Sequence, residues 1–386
     1  MKPHIRNRKI LFMITMACIL LSDCVQQYIS PYKSPATGYL VVDGYISGNG
    51  MTQYSLSRSI SLSGDSAIPA VIGASLQVEG SDGSVYPLSE LGNGLYGINS
   101  MTLSTTAKYR LRIRLSGGES YLSDYVPYKP TPPIDSVNWV YNSNGVTIYV
   151  NTHDPSNSTR YYQWVYDQTW EYHSAEATGY IYDHASNSLV MRTPAQQVFA
   201  CWKDLPLTDI LVGSSAKLAS DVIYEYPLLN IPANGQPLSV EYSILVTQYA
   251  LSDSGYDFLS MMAQNTQSLG SIFDAQPSQL TGNIHSISNP GEPVIGYIQA
   301  GTAQQQRIFI TNQQVPNWFY FNQCPEPDAI IPPDSLEYYF GSGYYNPLFP
   351  YLGPGGPPGG WSANSPICTD CTQLGGTTQK PAFWPN

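Results

Sequence analysis

The sequence predicts a mainly β protein, with tandem immunoglobulin-like antiparallel β-sandwich domains, one packing helix and a Pro/Gly-rich, disulfide-stapled C-terminal region. Three observations carry this. Apolar and polar residues alternate with period two in short runs, as a half-buried strand requires. Those runs are punctuated by turn residues drawn from 32 glycines and 31 prolines. Charged residues make up only 12% of the chain while tyrosines number 31, a profile that suits extracytoplasmic β domains better than a helical cytosolic enzyme.

The chain opens with Lys2, Arg6, Arg8 and Lys9, followed by an apolar run from Ile10 to Leu21 that stops at Ser22 and Asp23. This is the layout of a signal peptide over 1–23. Twelve residues at helical rise reach about 18 Å, short of the roughly 30 Å hydrocarbon core of a bilayer, so the run is too short for a permanent span. Leu21-Ser22-Asp23-Cys24 resembles the bacterial lipobox, whose cysteine thiol receives a diacylglycerol; Asp23 departs from the small residue usual there. Cys24 is therefore the expected lipidation site, and residues 24–37 read as a polar, lipidated tether to the membrane. Cys18, inside the apolar run, reads as filler.

Removing 1–23 leaves 13 basic against 27 acidic residues, a formal charge near −14. That opposes nucleic-acid binding, which needs a basic patch to displace counterions. It also disfavours a purely electrostatic grip on anionic lipid.

Residues 38–128 are expected to form the N-terminal sandwich. YLVVDGYI, TQYSLSRSISL, ASLQVEG, GLYGI, KYRLRIRL and SYLSDYVPY are its strand-like runs. In KYRLRIRL the set Tyr109, Leu111, Ile113, Leu115 opposes Lys108, Arg110, Arg112, Arg114, so the arginines mark a solvated outer face. Pro127, Pro130, Pro132 and Pro133 follow as a stiff linker.

A second β domain is expected over 129–323. SVNWVY and VTIYVN flank Asn144-Gly145, a pair suited to a tight hairpin. RYYQWVYDQTWEY places Tyr162, Trp164 and Tyr166 on one side, and SVEYSILVTQYAL is a closing strand. A helix is expected near 253–269, capped by Ser252 or Asp253, with Tyr256, Leu259, Met262 and Ala263 on one face and a stop at Leu269-Gly270. GNIHSI and PVIGYIQAG bracket Asn289-Pro290-Gly291-Glu292-Pro293 as a returning β pair, and RIFITN adds a strand.

From 324 to 386 the composition shifts to Pro, Gly and Tyr. A segment so poor in regular pattern needs fastening, and Cys201, Cys324, Cys368 and Cys371 are the cysteines that could provide it. They read as two disulfides with three possible connectivities. One CxxC without a second, and without spaced histidines, argues against zinc. Tyr338, Tyr339, Tyr344, Tyr345, Tyr351 and Trp361, with Phe340 and Phe349, crowd the same segment. Rings on a stiff loop either form a recognition surface at little entropic cost or pack down as a lid over the sandwich.

No catalytic residue is expected. The chain has no GxSxG elbow and no HExxH pair, and His153, His173, His184 and His285 are scattered. Asp167 and Glu171 read as solvated strand residues rather than a glycosidase pair. Asp253 and Asp257 lack an EF-hand loop, so neither a metal nor a cofactor is expected.

The lipobox, YLVVDGYI, Cys201-Trp202-Lys203, DSGYDFL, GNIHSISNPGEPVIGYI and the closing CTDC-x3-GGT-x2-KP-x-FW together resemble a family of Bacteroidetes lipoproteins, the domain-of-unknown-function family four-two-four-nine. The resemblance implies an outer-membrane lipoprotein, often encoded beside a TonB-dependent receptor, with no established activity and no catalytic residues to transfer. The stretch after Cys24, Val25-Gln26-Gln27-Tyr28-Ile29-Ser30, lacks the acidic residues that usually signal surface display, so either membrane face is open. The expected function is that of a non-enzymatic accessory or ligand-capture partner of a TonB-dependent transporter. A stand-alone glycan- or peptide-binding lipoprotein is the alternative, and a hydrolase the third reading.

Overall fold

The computed structural model describes residues 38–60, 67–267, 282–321, 324, 328–353 and 358–385. The expected signal peptide, Cys24 and the tether lie outside the described residues, as does the helix stop at Leu269-Gly270. The protein is mainly β.

The N-terminal unit differs from an open sandwich, because its hydrogen-bonded ladder closes on itself. From Lys108–Arg114 it passes through Ser75–Gly80, Val85–Gly92, Leu95–Ile98, Thr52–Arg58 and Leu40–Ser47. It then continues to the short parallel strand Ala300–Gly301 and on to Val126–Lys129. That last strand pairs back to the start through Lys108 with Pro127 and Tyr109 with Val126. Closure removes the exposed sheet edges that an open sandwich must protect.

Period-two alternation sends Tyr109, Leu111 and Ile113 inward, where they join Leu40, Val42, Tyr54, Leu56 and Tyr96 in one core. The outward arginines do more than meet solvent. Arg110 and Arg112 both bond the carboxylate of Glu79 on the neighbouring strand, at 2.7 and 2.5 Å, and Arg110 also lies 4.5 Å over the Tyr125 ring. Only Arg114 is exposed as expected.

The segment expected as a returning β pair of the second domain belongs instead to this first unit. Ile284–Ser286 pairs with Ser120–Ser123, Val294–Ile295 runs parallel to Leu40–Ser47, and Ala300–Gly301 completes the ring. Ile284, Val294 and Ile298 are buried in the first core. The physical reason is that residues 38–129 alone leave Leu40–Ser47 and Val126–Lys129 unjoined, and the distant segment supplies the missing backbone partners.

The second unit has two antiparallel sheets. Val222–Pro232, Gly145–His153 and Ile134–Asn142 make one, while Ala200–Pro206, Tyr161–His173, Glu241–Ala250 and Ala303–Thr311 make the other. Tyr162, Trp164, Ile244, Val246 and Ile310 pack across against Val146, Ile148 and Val150. The hairpin register places Asn142 opposite Gly145, so the turn centres on Ser143 and Asn144 and Gly145 opens the strand. Glycine is needed there: φ is +131°, and a Cβ would run into the Ile231 carbonyl of the adjacent strand.

The helix Asp253–Gln267 is capped by Ser252, whose Oγ accepts from the Gly255 N–H. Its most buried side chain is Phe258, which meets the Tyr297 ring at 5.4 Å. Tyr256, Leu259, Met262 and Ala263 are only half-buried. No described helix is long and apolar enough to cross a membrane.

The C-terminal region is more regular than its composition predicts. Ala329–Ile331, Pro358–Asn364 and Asn346–Leu352 form a three-stranded sheet. Pro347 and Pro350 are tolerated because their strand is the edge and carries register shifts. A small core of Tyr182, Ile331, Phe340 and Ala363 joins this sheet to the hairpin Tyr180–Asp183 and Ser188–Met191.

Candidate functional site

The four cysteines pair as Cys201–Cys371 and Cys324–Cys368. The first sulfur pair is buried in the core of the second unit. Around it the tail is zippered down: Cys371 N–H donates to the Val198 carbonyl, Tyr172 Oη donates to the Cys371 carbonyl at 2.7 Å, and Trp202 and Thr377 exchange two backbone bonds. Trp384 packs edge-on to Phe309, and Arg307 lies 3.7 Å over Phe383.

On this fastened platform Tyr338, Tyr339, Tyr344 and Tyr345, with Ser365, line an open concavity of about 410 Å³. Tyr338 and Tyr344 are 64% and 60% exposed, so at least these rings are available to a partner. Phe340 is buried, and Trp361 stands edge-on to Tyr180 at 4.8 Å, so these two act as packing residues. Tyr351 and Phe349 are exposed on the edge strand and do not line the concavity. The packing reading thus holds for Phe340 and Trp361, while Tyr338 and Tyr344 stay exposed.

Sequence reasoning missed a larger feature, a cleft of about 740 Å³ where the two β units meet. One wall is the outer face of the first unit. Asp43 and Tyr45 project from Leu40–Ser47, and Gln53, opposite Tyr45 in register, shares their face. The other wall is the outer face of the second unit's larger sheet. There Gln163, Tyr249 and Ala303 lie side by side across three strands, with Val165 and Gln305 one step along. Leu259, Tyr297 and Gln299 also line it. The wall residues alternate with core residues: Gln163 and Val165 are the complements of the buried Tyr162, Trp164 and Tyr166.

The seam between the walls is aromatic, with the Tyr45 and Tyr249 rings 4.7 Å apart. Several polar groups here are already used. Asn49 exchanges two bonds with the Ala303 backbone, Gln299 Oε1 accepts from Ser252 N–H, and Gln305 donates to Thr247. The Asp43 carboxylate, the Gln53 and Gln163 amides and the Tyr249 and Tyr297 hydroxyls have no hydrogen bond to described residues. Desolvation between the walls pushes the Asp43 carboxyl above the ordinary range. Burial raises the phenols of Tyr45 and Tyr249, so both are neutral donors.

The histidines stay apart from this cleft and from one another. His153 pairs with Asp135 at 2.7 Å, His173 with Glu171 at 3.1 Å and His285 with Asp124 at 3.1 Å, while His184 lies edge-on to Tyr182. Asp167 and Glu171 are four residues apart on one strand, a separation of about 13 Å that exceeds what a glycosidase pair uses. Among the described residues no group of three or more His, Cys, Asp or Glu is placed to hold a metal.

A family model described as Domain of unknown function (DUF4249) matches residues 28–307, which include both walls of the cleft up to Gln305 and end before the CTDC block. No curated protein matches the chain. Among solved structures, a segment of two fibronectin type III domains from chicken tenascin is similar at 8% identity and a TM-score of 0.16, covering 56% of this chain and 93% of that one.

Proposed function

Because this chain belongs to the DUF4249 family, we propose that it is a lipid-anchored, non-enzymatic envelope protein that captures a ligand in the cleft between its two β units, as an accessory to a TonB-dependent outer-membrane transporter. The observation that carries this reading is the set of polar side chains left without partners in a cleft of about 740 Å³. That volume lies in the range of small-molecule sites, and hydrated polar groups that no other side chain engages are open to a ligand that takes the place of their water. Among the described residues Asp43 is the one carboxylate lining the cleft, where hydrolysis of a glycoside would need two.

In this reading the second unit serves as an immunoglobulin-like sandwich scaffold. The exposed Tyr338 and Tyr344, on a module tied down by two disulfides, are the surface offered to the transporter. Cys24, acylated after removal of 1–23, holds the protein at the outer membrane.

The test is intact mass and gentle detergent extraction of the natively expressed protein beside Cys24→Ala. The expected result is an acylated wild type that brings down a TonB-dependent receptor, and a soluble, solitary variant. An unacylated protein without a receptor overturns the anchored-accessory reading and leaves a free binding protein.

A further inference from the structure

We propose that the cleft between the two units is the binding site of a neutral oligosaccharide, with Asp43, Gln53 and Gln163 as its hydrogen-bonding groups and Tyr249 and Tyr297 as its ring contacts. This rests on the ligand-capture reading above and goes further by naming the class of ligand.

No lysine or arginine lines the cleft among the described residues, and Asp43 contributes the single formal charge. An anionic ligand would meet that carboxylate without a compensating cation. A wholly apolar ligand would strip water from two amides, a carboxylate and two phenols without replacing the bonds, which is unfavourable for each group left unpaired.

A ligand that uses all of these groups together is one rich in groups that both donate and accept. Amides do both, the carboxylate only accepts, and neutral phenols do both. Sugar hydroxyls have that same double capacity, and adjacent hydroxyls can give two donors to a carboxylate, or one donor and one acceptor to an amide. Aromatic rings cover the apolar C–H faces of a pyranose while their hydroxyls remain free to bond.

The walls also favour a sugar over an extended peptide. Along the lining strands Tyr45 pairs with Gln53, Gln163 with Tyr249, and Tyr249 with Ala303, so much of their backbone hydrogen bonding is already spent in the ladders. Recognition here falls to side chains projecting from two opposed sheet faces. These faces belong to closed or two-layered β units whose cores fix the side-chain origins, so the site is preorganised.

The experiment uses the full-length protein, wild type and variants, on an array of neutral oligosaccharides (glucan, xylan, mannan and galactan fragments) beside a pool of basic and neutral hexapeptides, followed by calorimetry on the hits. The expected result is binding to one class of neutral glycan, weakened at least tenfold by Gln163→Leu and by Asp43→Asn. That binding should be unchanged by Tyr338→Ala and insensitive to NaCl between about 50 and 500 mM, because no ion pair is involved. Gln53→Ala, at an exposed position, serves as the second cleft variant should Gln163→Leu fail to fold by circular dichroism. Binding of basic peptides that falls with salt and with Asp43→Asn overturns the oligosaccharide assignment while leaving capture in this cleft standing. Ligand binding that none of the cleft variants weakens, or no binding to either set, overturns both.

Discussion

Cys201 and Cys371, separated by 170 positions in sequence, are joined by a disulfide inside the core of the second unit. The link closes a long loop and anchors the whole C-terminal tail. Cys371→Ser should therefore cost about 2–5 kcal/mol of stability in urea unfolding. Cys324→Ser opens a loop of 44 positions and should cost about 1 kcal/mol less, a difference set by the logarithm of loop length. Equal losses would show that local packing, rather than chain entropy, dominates.

The ring of strands in the first unit is completed by Ala300–Gly301. A fragment of residues 38–129 should accordingly lack a cooperative thermal transition, and adding a peptide of residues 282–301 should restore one. Cooperative unfolding of the fragment alone would refute the need for the distant segment.

Glu79 sits between Arg110 and Arg112 with only 12% of its side chain exposed. Hydrogen bonds from Arg112, with Arg110 and Gln77 adding to them, hold its carboxyl down at about 2, against 4.5 ordinarily. A folded pKa below the unfolded one contributes stability that is present above about pH 4.5 and is lost as pH falls toward 2. Discounted for solvent screening of a pair at the surface, its size should be about 2 kcal/mol. Glu79→Gln should flatten that part of the acid-unfolding profile and lower stability at pH 7.

Glu176 shows the opposite behaviour. Burial, followed by the nearby Asp328 carboxylate, raises its pKa, and its Oε2 has no hydrogen-bond partner. The stability that the protonated carboxyl allows is fully present below about pH 4.5 and is lost as pH rises through the raised value. Glu176→Gln should remove this dependence and slow amide exchange of residues 359–364 at pH 7. Faster exchange in the variant would contradict the sign.

Gly145 holds φ at +131° against the Ile231 carbonyl. Gly145→Ala should destabilise the protein by about 1–3 kcal/mol through backbone strain and that overlap. Asn144→Ala, beside it at the turn centre, should cost less.

Strand identity was legible wherever alternation was clean. Tyr109, Leu111 and Ile113 against their arginines, and Tyr162, Trp164 and Tyr166 against Gln163 and Val165, are buried as period two requires. The candidate site was less legible. The cleft residues occupy the outward positions of those same strands, where local pattern says only that a side chain is polar and exposed. Gln163 acquires a role because another unit's face stands opposite, and a one-dimensional pattern holds no record of that.

Composition and alternation by themselves determined that the chain is mainly β and that the cysteine-bearing tail needs fastening, because these follow from local geometry and summed chemistry. The tertiary structure alone decided which cysteines pair, that Ala300–Gly301 closes the first unit, and that Asp43 and Gln163 share a cleft. Each of these joins residues more than 40 positions apart, and such contacts are set by the packing of whole units, whose free energy no neighbouring stretch of sequence contains.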